Sequence, residues 1–287
     1  MPTATAPEIV TTRTALRTAI DAARARRRSI GLVPTMGALH AGHSSLIEAA
    51  RRECDFTVVT IFVNPAQFGP REDFQRYPRT LEADLAAIGK VGADLVFVPD
   101  VGEMYGPQHA TFVEMQGVAL PLEGAARPDH FRGVATIVLK LFNLTTPDRA
   151  YFGQKDFQQS LVIRRLVADL DLPVEVRVCP IVRETDGLAM SSRNVYLGPE
   201  ERKQAITLSR SLHLAAESVA AGERDAEAIL AAMRELYRNA PSVRLEYLVL
   251  ANSDTLEPVS RLTGPTLAAV AAFVGKTRLI DNQILLA

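Results

Sequence analysis

Short apolar runs alternate with amphipathic stretches over the first two thirds of the chain. Leu16, Ile20 and Ala23, for example, recur at helical spacing, whereas residues 56–63 form a continuous β-branched run. The predicted strands are 29–33, 56–63, 94–98, 149–152 and 174–178, and the predicted helices are 11–28, 44–52, 80–90, 134–143 and 157–169. This alternation is typical of an α/β domain with an open, doubly wound parallel sheet, whose ligands bind at the carboxyl ends of the strands.

The pattern changes after Ile181. Two amphipathic helices are predicted over 199–221 and 225–239, joined through Gly222, and three strands follow at 244–250, 266–274 and 277–286. Helices grouped before strands indicate a separate α+β unit. We therefore predict two domains, 1–181 and 182–287.

Composition and charge narrow the class of protein. The 287 residues are 47% apolar and 23% charged, which is enough to bury a core without disulfides, and the two cysteines stand far apart. A formal net charge of −1 provides no broad field to attract nucleic acid or an anionic membrane. Met1–Val10 lacks a secretory signal pattern, and no apolar run is long enough to span a bilayer. We expect a cytoplasmic protein with neither nucleic acid nor a membrane as partner.

The segment Pro34–His43 lies after a predicted strand and before a predicted helix, and it ends in His40-Ala-Gly42-His43. Gly42 lets the backbone approach a ligand, and two imidazoles three positions apart at a helix N-terminus can both face a phosphate chain. Such donors would stabilise charge on an α-phosphate and on departing pyrophosphate. A His-x-x-His metal pair is the alternative, but the adjacent residues offer no carboxylate or thiol ligand. The segment predicts a nucleotide site suited to adenylyl transfer.

Three other stretches carry polar side chains after predicted strands or past the domain boundary: Asn64–Phe68, Phe152–Asp156 and Asp186–Asn194. The two amides of the first could read the hydroxyls of a small polar substrate. The glycine and lysine of the second could admit a ribose and reach phosphates. The serines and arginine of the third could clamp a phosphate chain and close as a lid. Taken singly, each stretch also fits a solvated turn or a helix cap.

Together these segments resemble the pantothenate synthetase (pantoate–β-alanine ligase) family. The match runs in order from Ile30 to Leu197, and the C-terminal third agrees only in length and in its helix-then-strand order. The resemblance implies a Rossmann-like, class I nucleotidyltransferase-like domain with a smaller C-terminal α+β lid domain, assembled as a homodimer. The motifs that carry it are 34–43, 62–68, 152–159 and 182–197.

The resemblance also implies a reaction, with ATP as co-substrate and Mg²⁺ as cofactor. The carboxylate of pantoate attacks the α-phosphate of ATP, pyrophosphate leaves, and pantoyl adenylate forms. The amine of β-alanine then attacks the acyl group, which gives pantothenate and AMP.

Site residues follow from the same resemblance, position by position. The catalytic residues it implies are His43, His40 and Lys155, with His43 as the family's proton donor. The other ATP-binding residues are Met36, Gly37, Gly153, Asp156, Val182, Met190, Ser191, Ser192 and Arg193. The substrate-binding residues are Gln67, Gln159 and Asn64, and the implied metal ligand is Asp84.

Two other function classes stay open at the level of sequence. A simple nucleotidyltransferase could adenylylate a phosphorylated acceptor, and it would release a stable adenylylated product without needing an amine. A nucleotide-sensing or tRNA-associated module would bind ATP without turnover, and its binding of tRNA would weaken steeply with added salt.

Overall fold

A computed structural model of the protein describes residues 7–70 and 72–286. They form two compact units. The first comprises residues up to Gly153 together with Gln158–Pro180, and the second comprises Gln154–Phe157 together with the residues from Ile181 onward. The first six residues of the Met1–Val10 stretch, and of the predicted first domain, lie outside the described residues. The chain thus passes between the units near the predicted boundary, but Gln154–Phe157 groups with the second unit, which the sequence pattern does not indicate.

The first unit contains six parallel strands, and this arrangement confirms the predicted α/β fold. Their order in the sheet is β1-β4-β3-β2-β5-β6, so the winding direction reverses between β2 and β5. Ligands of such sheets bind at this reversal, outside the carboxyl ends of the strands. The strands are β1 (Glu8–Val10), β2 (Ile30–Thr35), β3 (Phe56–Ile61), β4 (Leu95–Phe97), β5 (Arg149–Gly153) and β6 (Glu175–Cys179).

The helices in this part of the chain follow the predicted order, with two differences that matter for the site. The second helix begins at Ala41 rather than Ser44, so His43 lies in its first turn, and the sixth begins at His130 rather than Val134. The helices are α1 (Arg13–Ala25), α2 (Ala41–Glu53), α3 (Leu81–Val91), α4 (Val101–Met104), α5 (Glu123–Ala126), α6 (His130–Thr145) and α7 (Phe157–Asp169).

Both faces of the six-stranded sheet are covered. Leu32 on β2 packs in one apolar cluster with residues of α1 and α6, and the next residue, Val33, packs in another with residues of α2. Successive side chains of a strand point to opposite faces, so a strand buried on both sides is apolar at every position. This burial explains the continuous apolar runs in the sequence, and it leaves the loops at the strand ends to carry polar chemistry.

The second unit packs helices on a three-stranded antiparallel sheet of order β7-β8-β9. Its elements are α8 (Pro199–Ala205), α9 (Thr207–Ala220), α10 (Ala226–Arg238), β7 (Val243–Asn252), β8 (Thr266–Val274) and β9 (Thr277–Leu285). The single helix predicted over 199–221 is divided at Ile206 into α8 and α9. In the part of the chain that the structure describes, no helix has both the length and the apolar character to cross a membrane.

Candidate active site

The loop after β2 turns through Gly37 and is held by one carboxylate. Asp84 on α3 accepts hydrogen bonds from the backbone N–H groups of Ala38 at 3.0 Å and Leu39 at 2.8 Å. Gly37 has a φ of +82°, and a Cβ at this position would lie 3.0 Å from Asp84 Oδ2. Glycine is therefore favoured both by the left-handed backbone and by the nearby carboxylate. These contacts fix the path of the loop towards His40.

Asp84 is also the residue that the family resemblance assigns to Mg²⁺. Its side chain is 2% exposed, and Oδ1 accepts a further hydrogen bond from Thr80 Oγ1 at 3.2 Å. Mg²⁺ keeps near-octahedral coordination through carboxylate, phosphate and water oxygens, which requires an accessible carboxylate. Among residues 7–70 and 72–286, no three His, Cys, Asp or Glu side chains are grouped so as to hold a metal. The geometry therefore fits Asp84 as an anchor of the loop and does not fit it as a metal ligand.

His40 and His43 lie at the start of α2, where the helix dipole favours an anion. Their ring centroids are 4.1 Å apart. The Nδ1 of His43 accepts a hydrogen bond from the backbone N–H of His40 at 3.3 Å. A neutral His43 whose Nδ1 is an acceptor carries its proton on Nε2, so this second nitrogen is a donor. The pair is suited to binding a phosphate chain.

Two amides are buried in the short turn after β3. Asn64 is 1% exposed and Gln67 is 8% exposed. The Nδ2 of Asn64 donates to Gln67 Oε1 at 2.9 Å and to the carbonyl oxygen of Gly133 at 3.1 Å. Its Oδ1 accepts from the Tyr105 hydroxyl at 2.8 Å and from a backbone N–H of the turn at 3.3 Å. Because protein groups use both donors and both acceptor positions, Asn64 is placed to orient Gln67.

Gln67 connects this turn to the loop after β2. Its Nε2 lies 3.1 Å from the Sδ atom of Met36, so two predicted substrate residues and one predicted ATP residue are brought together. Gly133, in the first turns of α6, makes the close packing possible. A Cβ at Gly133 would lie 2.2 Å from the carbonyl oxygen of Ala66, a distance that no side chain can occupy.

A buried histidine holds the backbone of Gln67. The Nδ1 of His130 bonds to the carbonyl oxygen of Gln67 at 2.9 Å, and its Nε2 faces Arg127 Nη1 at 3.2 Å. Arg127 in turn pairs with Glu72 at 2.6 Å. Burial, followed by the charge of Arg127, lowers the pKa of His130 to about 4. At pH 7 His130 is therefore a neutral imidazole that donates from Nδ1 and accepts at Nε2.

The positioning residues Tyr105, Gly133 and His130 are absent from the set that the sequence predicts. The Arg127–Gly133 segment offers a weak signal, because it concentrates charge and a histidine just before a helix. No comparable signal links Tyr105 to Asn64, which lies 41 positions earlier in the chain.

Gly153 and Gln159 complete the predicted residues of the first unit. A Cβ at Gly153 would have no protein atom within 4 Å, so the space beside this residue is open. On α7 the Gln158 side chain is hydrogen-bonded within the protein. Its Nε2 donates to the carbonyl oxygens of Val118 at 2.8 Å and Pro121 at 2.7 Å. The next amide, Gln159, is half-buried. Gln159 is therefore the better placed of the two for a ligand.

Lys155 and Asp156 belong to the second unit and lie in a 3₁₀ turn, Gln154–Asp156. The Nζ of Lys155 is 3.8 Å from Asp156 Oδ1. The carbonyl oxygens of Gln154 and Lys155 accept hydrogen bonds from Nδ2 of Asn282 on β9, at 3.0 and 2.9 Å. The turn is thus tied to the C-terminal sheet.

Residues 182–190 form a small hairpin in the second unit. The N–H of Met190 donates to the carbonyl oxygen of Val182 at 3.0 Å, and the N–H of Glu184 donates to the carbonyl oxygen of Leu188 at 2.8 Å. Arg183 pairs with the buried Asp281 at 2.6 Å. Glu184 of the same hairpin pairs with Arg202 at 2.8 Å.

The segment Met190–Arg193 continues from this hairpin into a 3₁₀ helix, Ser192–Tyr196. Ser191 is its N-cap, and the Oγ of Ser191 accepts a hydrogen bond from the N–H of Arg193 at 3.3 Å. All four residues are half-buried. Their hydroxyl, guanidinium and backbone groups therefore lie within one short stretch that can contact an anion.

Comparison with known proteins gives a consistent result over almost the whole chain. The family model for pantoate-beta-alanine ligase matches residues 8–284. A pantothenate synthetase from Moorella thermoacetica is 52% identical over 278 residues, which cover 97% of this chain and 98% of that relative.

Solved structures agree with the sequence comparison. The crystal structure of pantothenate synthetase from Thermus thermophilus has a TM-score of 0.94 and 48% identity, and the match covers 98% of this chain and 100% of that one. A pantoate-beta-alanine ligase from Francisella tularensis, complexed with beta-gamma ATP and beta-alanine, has a TM-score of 0.81 and 32% identity over 97% of this chain and 98% of its own.

Proposed function

The chain belongs to the pantoate-beta-alanine ligase family, and from that premise we propose that it joins pantoate to β-alanine through a pantoyl-adenylate intermediate, with ATP as co-substrate. The observation that carries this proposal is the pair of imidazoles at the N-terminus of α2, beside the loop that also contacts Gln67. This arrangement combines phosphate donors with a buried amide for a small polar acid.

In the first step a carboxylate oxygen of pantoate attacks the α-phosphorus of ATP. The bond to the bridging oxygen breaks, and pyrophosphate leaves with the electron pair. We assign the Nε2–H of His43, the imidazole of His40 and the ammonium of Lys155 to the phosphate oxygens. Preorganised donors of this kind stabilise the charge that develops in the transition state. For His43 we therefore favour charge stabilisation over proton transfer.

We assign pantoate binding to side-chain amides. Gln67 and Gln159 are assigned to its hydroxyls and carboxylate, and Asn64 keeps the Gln67 amide in one orientation. This differs from the direct substrate contact predicted for Asn64, because the hydrogen bonds of its side chain are used within the protein. In the second step the β-alanine amine attacks the acyl carbon, the acyl–phosphate oxygen bond breaks, and AMP leaves.

The nucleotide contacts are divided along the sequence. We assign Met36, Gly37 and Gly153 to the adenylate and ribose, which would give residues 1–181 the ATP-binding role that the resemblance implies. Residues of the second unit are assigned to the remaining contacts: Asp156 to the ribose, the Val182 N–H to adenine, and Met190, Ser191, Ser192 and Arg193 to the triphosphate.

Mg²⁺ is proposed to arrive with ATP, held by phosphate and water oxygens, because the Asp84 carboxylate is committed to the loop. When bound it would neutralise phosphate charge. We further propose that the protein is a homodimer, which sedimentation equilibrium tests, and that it acts in the cytoplasm, which cell fractionation tests.

The proposed function is tested by pantoate-dependent exchange of labelled pyrophosphate into ATP, measured without β-alanine. We expect exchange in the wild-type protein and a fall of about 10²-fold in His43→Ala and Lys155→Ala, the usual effect of removing one preorganised donor. The exposed His213 provides the control, because His213→Ala should leave the rate unchanged. Absence of exchange, together with absence of AMP when all substrates and Mg²⁺ are present, would exclude the ligase reaction.

Gln67→Ala separates substrate binding from phosphate chemistry in the same assay. We expect a higher pantoate KM with little change in the ATP KM. An unaltered pantoate dependence would remove Gln67 from the substrate site.

A further inference from the structure

The C-terminal strand β9 makes an unusual contact with the turn that carries Lys155. Asn282 is 4% exposed, and its Nδ2 donates to two successive carbonyl oxygens, those of Gln154 at 3.0 Å and Lys155 at 2.9 Å. Its Oδ1 lies 3.4 Å from Nε2 of Gln154. Both N–H bonds of one buried amide are thus directed at the backbone of a single turn.

This contact constrains the lysine at its base. Two hydrogen bonds to consecutive carbonyls fix the peptide planes on either side of the Lys155 Cα, and those planes set the direction of its Cα–Cβ bond. Beyond that bond the lysine side chain is a flexible four-carbon stem. A phosphate-binding ammonium therefore depends on a fixed starting direction, which Asn282 supplies.

The strand that carries Asn282 is itself anchored on both sides. Its backbone pairs with β8, where Asn282 lies opposite Ala269 and Asp281 opposite Val270. On the other side Asp281, which is 2% exposed, accepts two hydrogen bonds from the guanidinium of Arg183 at 2.6 and 3.0 Å. Because this strand is anchored, Asn282 stays in place and can hold the Gln154–Asp156 turn in a fixed position.

We propose that Asn282 is a positioning residue for the adenylation step, acting through Lys155. The inference rests on the proposed function, in which Lys155 binds the ATP phosphates. It assigns to the C-terminal sheet a part in aligning the nucleotide.

Asn282→Asp is the sharpest test, because it keeps the shape of the side chain and replaces its donor NH₂ with an oxygen that faces two carbonyls. We expect the kcat/KM for ATP in pantoate-dependent pyrophosphate exchange to fall by at least tenfold, with the pantoate KM within twofold of wild type. Gln283→Glu is the matched control, since it makes the same chemical change at the next, half-buried position. It should leave both constants unchanged.

A second variant covers the case in which Asn282→Asp fails to fold. Asn282→Ser keeps one donor and should give a smaller fall in the kcat/KM for ATP. The decisive comparison repeats Asn282→Ser in a Lys155→Ala background. If Asn282 acts through Lys155, Asn282→Ser should cause little further fall in the kcat/KM for ATP there.

The outcomes separate the two proposals. No exchange in the wild-type protein, together with no AMP when all substrates and Mg²⁺ are present, would defeat the proposed function itself. With an active wild type, an equal fall caused by Asn282→Ser in both backgrounds, or no fall in either, overturns the positioning role. A fall only where Lys155 is present supports it.

Discussion

The two units hold their candidate ligand-binding segments by different kinds of contact. In the first unit, the loop after β2 and the turn after β3 are fixed by buried side chains, mainly through backbone groups: Asp84 is 2% exposed and Asn64 is 1% exposed. In the second unit, Arg183 of the hairpin 182–190 pairs with the buried Asp281, whereas Glu184 and Asp186 of the same hairpin are held by partly exposed ion pairs. Arg202 bonds to Glu184 at 2.8 Å and to Asp186 at 2.6 Å, and all three side chains are between 26% and 32% exposed.

The difference bears on what each segment can tolerate. Removing one partner of a buried hydrogen bond leaves an unsatisfied group and costs about 1–3 kcal/mol, whereas an exposed ion pair contributes about 0–1 kcal/mol. We therefore expect the turn after β3 to be rigid and intolerant of substitution. We expect the contacts between Arg202 and the hairpin to be weaker and more sensitive to salt.

The largest effect should come from Gly133→Ala, which tests the close packing of α6 on the turn after β3. A Cβ there would lie 2.2 Å from the Ala66 carbonyl oxygen, so backbone must move. We expect the free energy of unfolding to fall by about 3 kcal/mol, at the upper end for overpacking, together with a higher pantoate KM. Denaturant unfolding and pyrophosphate exchange measure these quantities.

Gly264→Ala, where no atom lies within 4 Å of the added Cβ, is the control. A Gly133→Ala protein as stable as wild type would contradict the packing argument.

Asp84→Asn comes next and separates an anchor from a metal ligand. The amide group would place N–H against a backbone N–H of Ala38 or Leu39, so we expect a loss of about 2 kcal/mol of stability and lower exchange activity. The Mg²⁺ concentration for half-maximal exchange should not change. Glu82→Gln, at an exposed position in the same helix, controls for the lost charge. A raised requirement for Mg²⁺ specific to Asp84→Asn would restore this residue to the metal site.

Sequence alone predicts the contacts that are local, and Asp84 and Asn64 show its limit. Strands β2 and β3 were predictable because their burial on both faces leaves an apolar run, whereas the three-residue strand β1 was not predicted. The His40–His43 pair was predictable because its spacing and its place before a helix are encoded in a few residues. The role of Asn64 depends on Tyr105 and Gly133, which only the folded chain brings to it. The sequence therefore identified Asn64 as a candidate residue, but it carried no signal for the groups that hold its side chain.

The domain assignment of the turn that carries Lys155 depends on contacts between residues far apart in the sequence. The Lys155 turn was predicted to belong to the first domain because it follows β5 directly. Its hydrogen bonds run instead to Asn282, 127 positions away from Lys155. Such an assignment depends on tertiary contacts that no local pattern records.

Acid should destabilise the first unit because His130 becomes protonated. We expect this effect to be smaller than those of Gly133→Ala and Asp84→Asn. The folded-state pKa is lowered to about 4, below the ordinary value near 6.5. The unfolded chain therefore gains a proton first as the pH falls, and the stability present above pH 6.5 is lost progressively towards pH 4. From pH 7 to 5.5 we expect a loss of about 1 kcal/mol from this group. The charges facing it come from Arg127, Glu72 and Glu123.

His130→Gln should remove this part of the pH dependence of unfolding. The exposed His213 is the control, because His213→Gln eliminates a histidine without touching the cluster. An identical pH slope in wild type and His130→Gln would show that His130 does not contribute.

The smallest effect, and the one that most directly tests the contrast between the units, is expected from Arg202→Gln. The hydrogen bond from Arg202 is the main cause that lowers the pKa of Glu184, and breaking it removes one partly exposed contact of the hairpin without opening a buried site. Because these side chains are partly exposed, we expect less than about 1 kcal/mol of lost stability at low salt. The difference from wild type should shrink further in 0.5 M salt, where the electrostatic screening length is about 4 Å, while Gly133→Ala stays equally damaging.

Lys203→Gln, which breaks an exposed pair on α8, is the control. If Arg202→Gln were as costly as Gly133→Ala and insensitive to salt, the hairpin would be held as rigidly as the turn after β3. The distinction between the units would then fail.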